Sequence, residues 1–200
     1  ATRFLQEVQD VLVVIENASP SQAAKLAERF KPGRMIFALP SVFFEPEIPA
    51  MRELARVVAA GGMILEANTW GGIMLAKEVD AGFEAGPGLG VLNSLAAGYL
   101  SSLGALGVNA SVEADRTQLE ALSEKCPARL TVTIYGRPAL AITRARVEEA
   151  MLYEDRRGIR LKPALRRGLA YLYAAEPFDL CGQHNVNVRA SQNSAELAEA

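Results

Sequence analysis

The chain has 200 residues, of which 50% are hydrophobic and 22% charged, and its formal net charge is −2. This composition provides one substantial core, and so small a net charge excludes a global attraction to nucleic acids or to anionic membranes. Its two cysteines are too few for a disulfide framework and are typical of a reducing cytosol.

No apolar run approaches the roughly 18 residues of a membrane span. The first ten residues are amphipathic and acidic, without the apolar core of a signal peptide. We therefore expect a cytoplasmic protein that does not contact membranes. Because the first residue is Ala1 rather than methionine, we also expect the chain to be part of a longer protein.

Strands and helices alternate along most of the chain. Continuous β-branched and apolar runs predict six strands, at 11–15, 34–39, 63–68, 82–85, 108–113 and 130–135. Helical spacing of apolar residues, with capping signals such as Ser19-Pro20, predicts the intervening helices at 20–30, 48–60, 73–79, 93–103 and 116–125.

Strands separated by helices are joined by βαβ crossovers, which predicts an α/β fold with a parallel sheet. About six βα units fit either an open doubly wound sheet or most of a (β/α) barrel. After Arg146 the alternation stops, and 168–175 is a candidate seventh strand. We predict a single α/β domain over 1–189 and a polar tail over 190–200 that is frayed or forms a short helix.

Residues 130–158 carry the most informative pattern. A β-rich run ends in Tyr135-Gly136-Arg137-Pro138, an apolar segment follows, and an Asp155-Arg156-Arg157-Gly158 turn comes later. This order resembles the signature region of the U32 peptidase family, the collagenase-like proteins. Further segments similar to the family's patterns extend the resemblance to about residues 61–158; they lie at 64–78, Asn93-Ser94 and Ser111-Val112-Glu113.

The resemblance implies a TIM-type (β/α) barrel, complete or incomplete, and an activity of the peptidase or the hydroxylation type. Hydroxylating members resemble one another in holding an iron–sulfur cluster, which needs about four thiolates. Here Arg146 stands at the expected cysteine position, and Cys181 with His184 gives two ligands, too few for a structural metal site. We therefore expect neither a cofactor nor a metal from this chain alone.

Candidate catalytic residues follow from the rule that functional groups lie where parallel strands end. The rule selects polar side chains near the predicted strand ends: Glu16, Asn17, Glu66, Asn68, Glu84, Glu113, Tyr135 and Arg137. We interpret Glu66 and Glu113 as the catalytic candidates, expected at the barrel mouth. There they form either a carboxylate pair with one raised pKa, or helix caps and partners of Arg137 and Arg144.

Candidate ligand-binding residues are the polar groups Asn68, Asn93, Arg137, Arg144, Arg146, Asp155 and Arg156. Asn93 either caps the following helix or offers its amide to a ligand. Arg146 is expected to hold a phosphate or carboxylate bidentately. The basic segment 144–167 is interpreted either as a solvated face paired with carboxylates or as a contact surface for RNA or a protein partner.

Three functional hypotheses follow. The chain is a U32-like enzyme domain of the peptidase (collagenase-like) or hydroxylation type, a cluster-free relative that binds a partner or acts as a scaffold, or a component of RNA base hydroxylation. The single histidine, His184, lies in a late polar loop; there is no nucleophile pattern for a Ser-His-Asp triad and no HExxH zinc motif. A peptidase activity is therefore implied only by the resemblance.

Overall fold

The computed structural model describes residues 12–30, 33, 35–179, 187–191 and 194–198. The chain forms two compact units, one made mainly of the residues up to Val132 and the other mainly of the residues from Thr133 onward. Compactness does not by itself establish an independently folding domain, so the single domain over 1–189 stays a prediction. None of the described helices is long and apolar enough to cross a membrane.

The first unit alternates strands with helices. Its strands are β1 (Val13–Glu16), β2 (Met35–Ala38), β3 (Ile64–Ala67), β4 (Phe83–Ala85), β5 (Ala105–Asn109) and β6 (Arg129–Thr131). Its α-helices are α1 (Pro20–Arg29), α2 (Ile48–Ala60), α3 (Trp70–Glu78), α4 (Ser94–Ser102) and α5 (Arg116–Lys125). Two short 3-10 helices cover Glu45–Glu47 and Pro87–Leu89.

Local sequence signals explain where the helices begin. Ser19 caps α1 through its side chain and forms a capping box with Gln22, and Pro20 occupies the first turn, as predicted. Asp115 caps α5 in the same way, with Gln118 as its partner. Thr69 accepts a hydrogen bond from the amide of Gly72 at the start of α3. Each cap satisfies backbone N–H groups that have no partner within the helix.

The six strands are all parallel and follow one another across the sheet in chain order, β1-β2-β3-β4-β5-β6. A doubly wound sheet requires a reversal of strand order, and this sheet has none. Right-handed crossovers without a reversal place the helices on one face, and the sheet curls into a half-barrel. The predicted parallel α/β sheet is thus confirmed, whereas a closed barrel stays a prediction.

The core lies between the sheet and its helices. Phe37, Leu65 and Phe83 are register partners on β2, β3 and β4, and all three are buried. A Cβ added to Gly72 of α3 would lie 3.5 Å from atoms of Ala67 and of Leu39, which shows how closely this helix packs on the sheet. We call the opposite face of the sheet the inner face.

Several element boundaries in the first unit differ from the prediction, and the sixth strand ends at Thr131 rather than at 135. The fifth strand ends at Asn109 rather than at Glu113, because a turn begins at Ser111: its Oγ accepts the amide of Glu113 and its carbonyl accepts the amide of Ala114. Helix α3 begins at Trp70 rather than at 73, because Thr69 supplies an N-cap that the apolar periodicity does not mark.

The second unit is antiparallel rather than βα. Strands β8 (Ala139–Thr143), β9 (Tyr153–Glu154), β10 (Arg160–Arg166) and β11 (Leu169–Ala174) form one sheet in the order β8-β11-β10-β9. The candidate seventh strand is therefore real, but it pairs antiparallel with its neighbours. It follows a tight hairpin turn in which Arg167 and Gly168 both have positive φ angles, 53° and 73°.

Shorter strand pairs complete the second part of the chain. Strand β7 (Tyr135–Gly136) pairs with β12 (Phe178–Asp179). Strands β13 (Asn187–Ser191) and β14 (Ser194–Ala198) pair with each other. The last strand occupies part of the segment 190–200, where we expected a frayed end or a short helix.

Candidate functional site

One row of residues crosses the inner face of the parallel sheet and carries most of its charge. Its members are register partners on consecutive strands: Glu16, Ala38, Glu66, Glu84, Gly107 and Arg129. Register partners in a parallel sheet point to the same face, so three carboxylates and one guanidinium stand side by side. We call this set the charged row.

An ion pair forms between Glu84 on β4 and Arg129 on β6, across Gly107 on the intervening strand β5. The guanidinium of Arg129 donates a hydrogen bond to Oε1 of Glu84. The Glu84 side chain is only 4% exposed, whereas that of Arg129 is 43% exposed. A Cβ at position 107 would lie 3.1 Å from the carboxylate of Glu84, so the absence of a side chain at Gly107 provides the space that the ion pair occupies. The buried carboxylate thus has a counter-ion that reaches solvent.

Glu66, in the middle of the charged row, is 8% exposed. Its Oε1 accepts a hydrogen bond of 2.8 Å from Nδ2 of Asn68. Burial is the largest influence and raises the pKa of the Glu66 carboxyl above its usual value; the hydrogen bond from Asn68 opposes the shift, and the charges of Glu16 and Glu84 add to it. Glu66 therefore holds its proton to a higher pH than an ordinary glutamate.

This pKa shift predicts a pH-dependent effect of Glu66→Gln on stability. Folding raises the pKa of Glu66, so the protonated carboxyl makes its full contribution to the stability of the protein at pH values below the pKa that it has in the unfolded chain. This contribution is lost as the pH rises through the pKa that Glu66 has in the folded protein. Glutamine keeps the acceptor for Asn68 and has no proton to lose. We expect the variant to be more stable than the wild type by about 1 kcal/mol at pH 8 and to lose this advantage near pH 4.

Urea unfolding followed by circular dichroism at the two pH values measures this difference. Glu113→Gln, at an exposed glutamate, is the matched control and should change stability little at either pH. A Glu66→Gln advantage that does not depend on pH would show that the pKa of Glu66 is not raised.

Asn68 connects the ends of three neighbouring strands. Its Nδ2 donates to the carbonyl of Leu39 at 3.0 Å and to Glu66, and its Oδ1 accepts the amide of Gly88 at 3.0 Å. Both amide donors are thus used within the protein. Asn109 makes a similar connection from β5, since its Nδ2 donates to the carbonyl of Ala85 at 3.0 Å. These side chains fix the carboxyl edge of the sheet.

The other candidates in the first unit, Asn93 and Glu113, have roles that do not involve the charged row. Asn93 caps α4, with its Oδ1 accepting the amide of Ala96 at 2.9 Å, which is the capping alternative of the prediction. Glu113 is exposed in the turn before α5. The carboxylates that raise the pKa of Glu66 are Glu16 and Glu84, not Glu113.

The remaining candidates belong to the second unit. Arg137, Arg144, Arg146 and Arg156 are all exposed. Asp155 organises the hairpin turn between β9 and β10: its Oδ1 accepts the amides of Arg157 and Ile159, at 2.8 and 2.9 Å, and Gly158 has a φ of 81°. The Asp-Arg-Arg-Gly pattern of the sequence is therefore explained by turn geometry.

Two acidic residues of the basic segment 144–167 accept hydrogen bonds from backbone amides. Glu149 accepts the amide of Leu165, as Asp155 accepts those of its own turn. Exposed cations of the segment include Arg156, Arg157 and Arg160. Glu149 and Asp155 thus bind backbone amides, and both interpretations of the segment stay predictions.

The cysteines of this chain do not fit an iron–sulfur cluster by themselves. A cluster needs about four thiolates, and the chain has two cysteines. Cys126 caps the end of α5, while Cys181 and His184 lie outside the described residues. Among the residues that the structure does describe, no three His, Cys, Asp or Glu side chains could hold a metal ion. The absence of a metal and of a cofactor stays a prediction.

Sequence reasoning missed two members of the site. Arg129 lies at the beginning of β6, whereas the rule used on the sequence selects residues at the ends of strands. Its alignment with Glu84 depends on strand pairing, which the sequence does not show. Asn109 falls inside the predicted strand 108–113, whereas in the structure it is the last residue of β5. The signal for Glu84 was present, since it lies near a predicted strand end.

The geometry defines the first unit as a singly wound parallel α/β half-barrel with a charged row on its inner face. No model of a known protein family matches the sequence, and no curated protein matches it. Among solved structures, the chain is similar to the U32 peptidase Mk0906, with a TM-score of 0.50 and 14% sequence identity. The similarity covers 67% of this chain and 65% of that one.

At this identity the similarity shows the fold alone. It agrees with the fold that the resemblance of the sequence motifs implies.

Proposed function

We propose that the first unit is a U32-like enzyme domain in which the charged row binds the substrate and Glu66 transfers a proton. The observation that carries this proposal is a buried carboxyl with a raised pKa between two other carboxylates on the inner face. Burying a carboxyl beside like charges lowers stability, and such arrangements are concentrated at functional sites. The TIM-type barrel, as an incomplete form, and the cytoplasmic location are proposed with it.

The charged row provides two carboxyl groups in different surroundings. Glu66 holds its proton to a higher pH than an ordinary glutamate and is suited to donate it to a leaving group, while the neighbouring Glu84 is paired with Arg129. A pair of carboxyl groups in different surroundings is a recurring basis of hydrolysis, in which one group accepts a proton from water and the other donates one. Peptide hydrolysis is the candidate reaction, because the similar structure is named a peptidase.

The test is cleavage of gelatin or casein by the purified chain and by Glu66→Gln. We expect the variant to lose at least about 100-fold in rate, because a general acid contributes roughly 10²–10⁴-fold. Glu113→Gln is the matched control and should retain the wild-type rate. Equal activity of Glu66→Gln and the wild type would contradict the role of Glu66, and no cleavage by the wild type would contradict peptide hydrolysis.

A non-catalytic binding or scaffold domain is the second candidate. It is favoured by Asn68, Asn93 and Asp155, whose polar groups hold strand ends, a helix start and a hairpin turn within the chain. For this candidate, the exposed cations of the basic segment 144–167 would contact RNA or a protein partner.

A further inference from the structure

Helices α3 and α4 expose an apolar surface that the charged row does not use. Trp70 and Met74 lie one turn apart on α3, and Leu95 and Tyr99 lie one turn apart on α4. The rings of Trp70 and Tyr99 are 6.1 Å apart, so the two helices present one continuous surface. We call these four residues the helix patch.

The helix patch is large for an exposed apolar surface. Its side chains are between 56% and 85% exposed, which corresponds to roughly 500 Å² of mainly apolar area, near the upper limit of patches on monomers. A stable interface between two proteins buries about 800 Å² on each partner. The helix patch therefore provides the apolar centre of an interface of ordinary size, with its rim supplied by the surrounding residues.

The helix patch also lacks charge. Helix α4, Ser94–Ser102, contains no charged residue, and the charges of α3 are confined to Lys77 and Glu78 at its far end. A partner with a complementary charge would find nothing to pair with here. A second copy of the same uncharged surface, in contrast, meets no like-charge repulsion.

Gly98 leaves room in the helix patch for a partner's side chain. It lies between Leu95 and Tyr99 along α4, and, apart from its chain neighbours and the backbone of α4 itself, no atom lies within 4 Å of the place where its Cβ would be. In a two-fold symmetric interface each copy offers both projecting side chains and such a gap, so the two surfaces are complementary to themselves. We propose that the helix patch is the interface through which two copies of this chain associate.

The only tryptophan of the sequence, Trp70, belongs to the helix patch and reports directly on its burial. We expect sedimentation velocity to show a dimer that dissociates on dilution, and the fluorescence maximum of Trp70 to move to shorter wavelength as the concentration rises. Leu95→Glu should weaken association at least about 100-fold, because it introduces the same charge into both copies. Glutamate near a helix N-terminus does not oppose folding.

Leu152→Glu is the matched control, since Leu152 is 58% exposed in the second unit, and it should leave the dimer unchanged. Met74→Glu, on α3, provides a second disruption if Leu95→Glu lowers the melting temperature. A wild-type chain that is monomeric at all concentrations would overturn the proposal. So would a dimer that survives both substitutions in the helix patch.

Discussion

Asn68→Asp is expected to lower the free energy of unfolding by about 3–5 kcal/mol, although it changes the shape of the side chain very little. Aspartate has no N–H group for the carbonyl of Leu39 or for Glu66, which lie 3.0 and 2.8 Å from Nδ2 in the wild type. It also adds a fourth carboxylate beside the charged row. Because protonation of the new carboxyl would restore one donor, the loss should be larger at pH 8 than at pH 5.

Asn93→Asp is the matched control for this substitution. Asn93 uses only its Oδ1, as the cap of α4, and aspartate caps a helix as well as asparagine does. Its unfolding free energy should stay within about 0.5 kcal/mol of the wild type. Urea unfolding of the three proteins measures both values, and similar losses in the two variants would contradict the connecting role of Asn68.

Gly86→Ala is expected to lower the free energy of unfolding by about 2–3 kcal/mol. The added Cβ would lie 2.3 Å from Oδ1 of Asn68 and 2.7 Å from Cγ of Glu66. Neither side chain can move away easily, since both are buried and hydrogen-bonded to each other. The backbone of Gly86 itself is suitable for alanine, with φ of −77° and ψ of 173°, so the effect isolates the close approach.

Gly98→Ala is the control for Gly86→Ala. Gly98 lies inside α4 with open space around it, and alanine at such a position stabilises a helix by about 0.5–1 kcal/mol. The two substitutions are therefore expected to change the melting temperature in opposite directions. Thermal unfolding at low protein concentration measures both, and a neutral Gly86→Ala would show that the inner face is more loosely packed than the distances indicate.

The sequence predicts the parallel part of the fold well because its signals there are local. Apolar runs give the six strands, and capping residues such as Ser19 and Asp115 give the helix starts. The antiparallel second unit is not predicted, because an apolar run such as Ala139–Thr143 does not itself show which strand it pairs with or in which direction.

The candidate site is predicted only in part, because the sequence does not show which residues the register of the strands brings together. Glu66 stands near the end of a clear strand, but its raised pKa comes mainly from burial and not from the carboxylate pair with Glu113 that is one of the predicted alternatives. Its neighbours Glu84 and Glu16 become partners through strand pairing, which brings together residues far apart in the chain. Glu113 illustrates the converse, since four residues of error at a strand end remove a side chain from the inner face.

The sequential order of the six strands has a consequence for how the sheet could grow. Each βα unit pairs with the unit before it and the unit after it, as in a repeat protein. The pairing of the existing strands would not change if a further unit were added beside β1 or β6. Units can therefore be added one at a time at either edge of such a sheet during evolution, while the register that aligns the charged row is preserved.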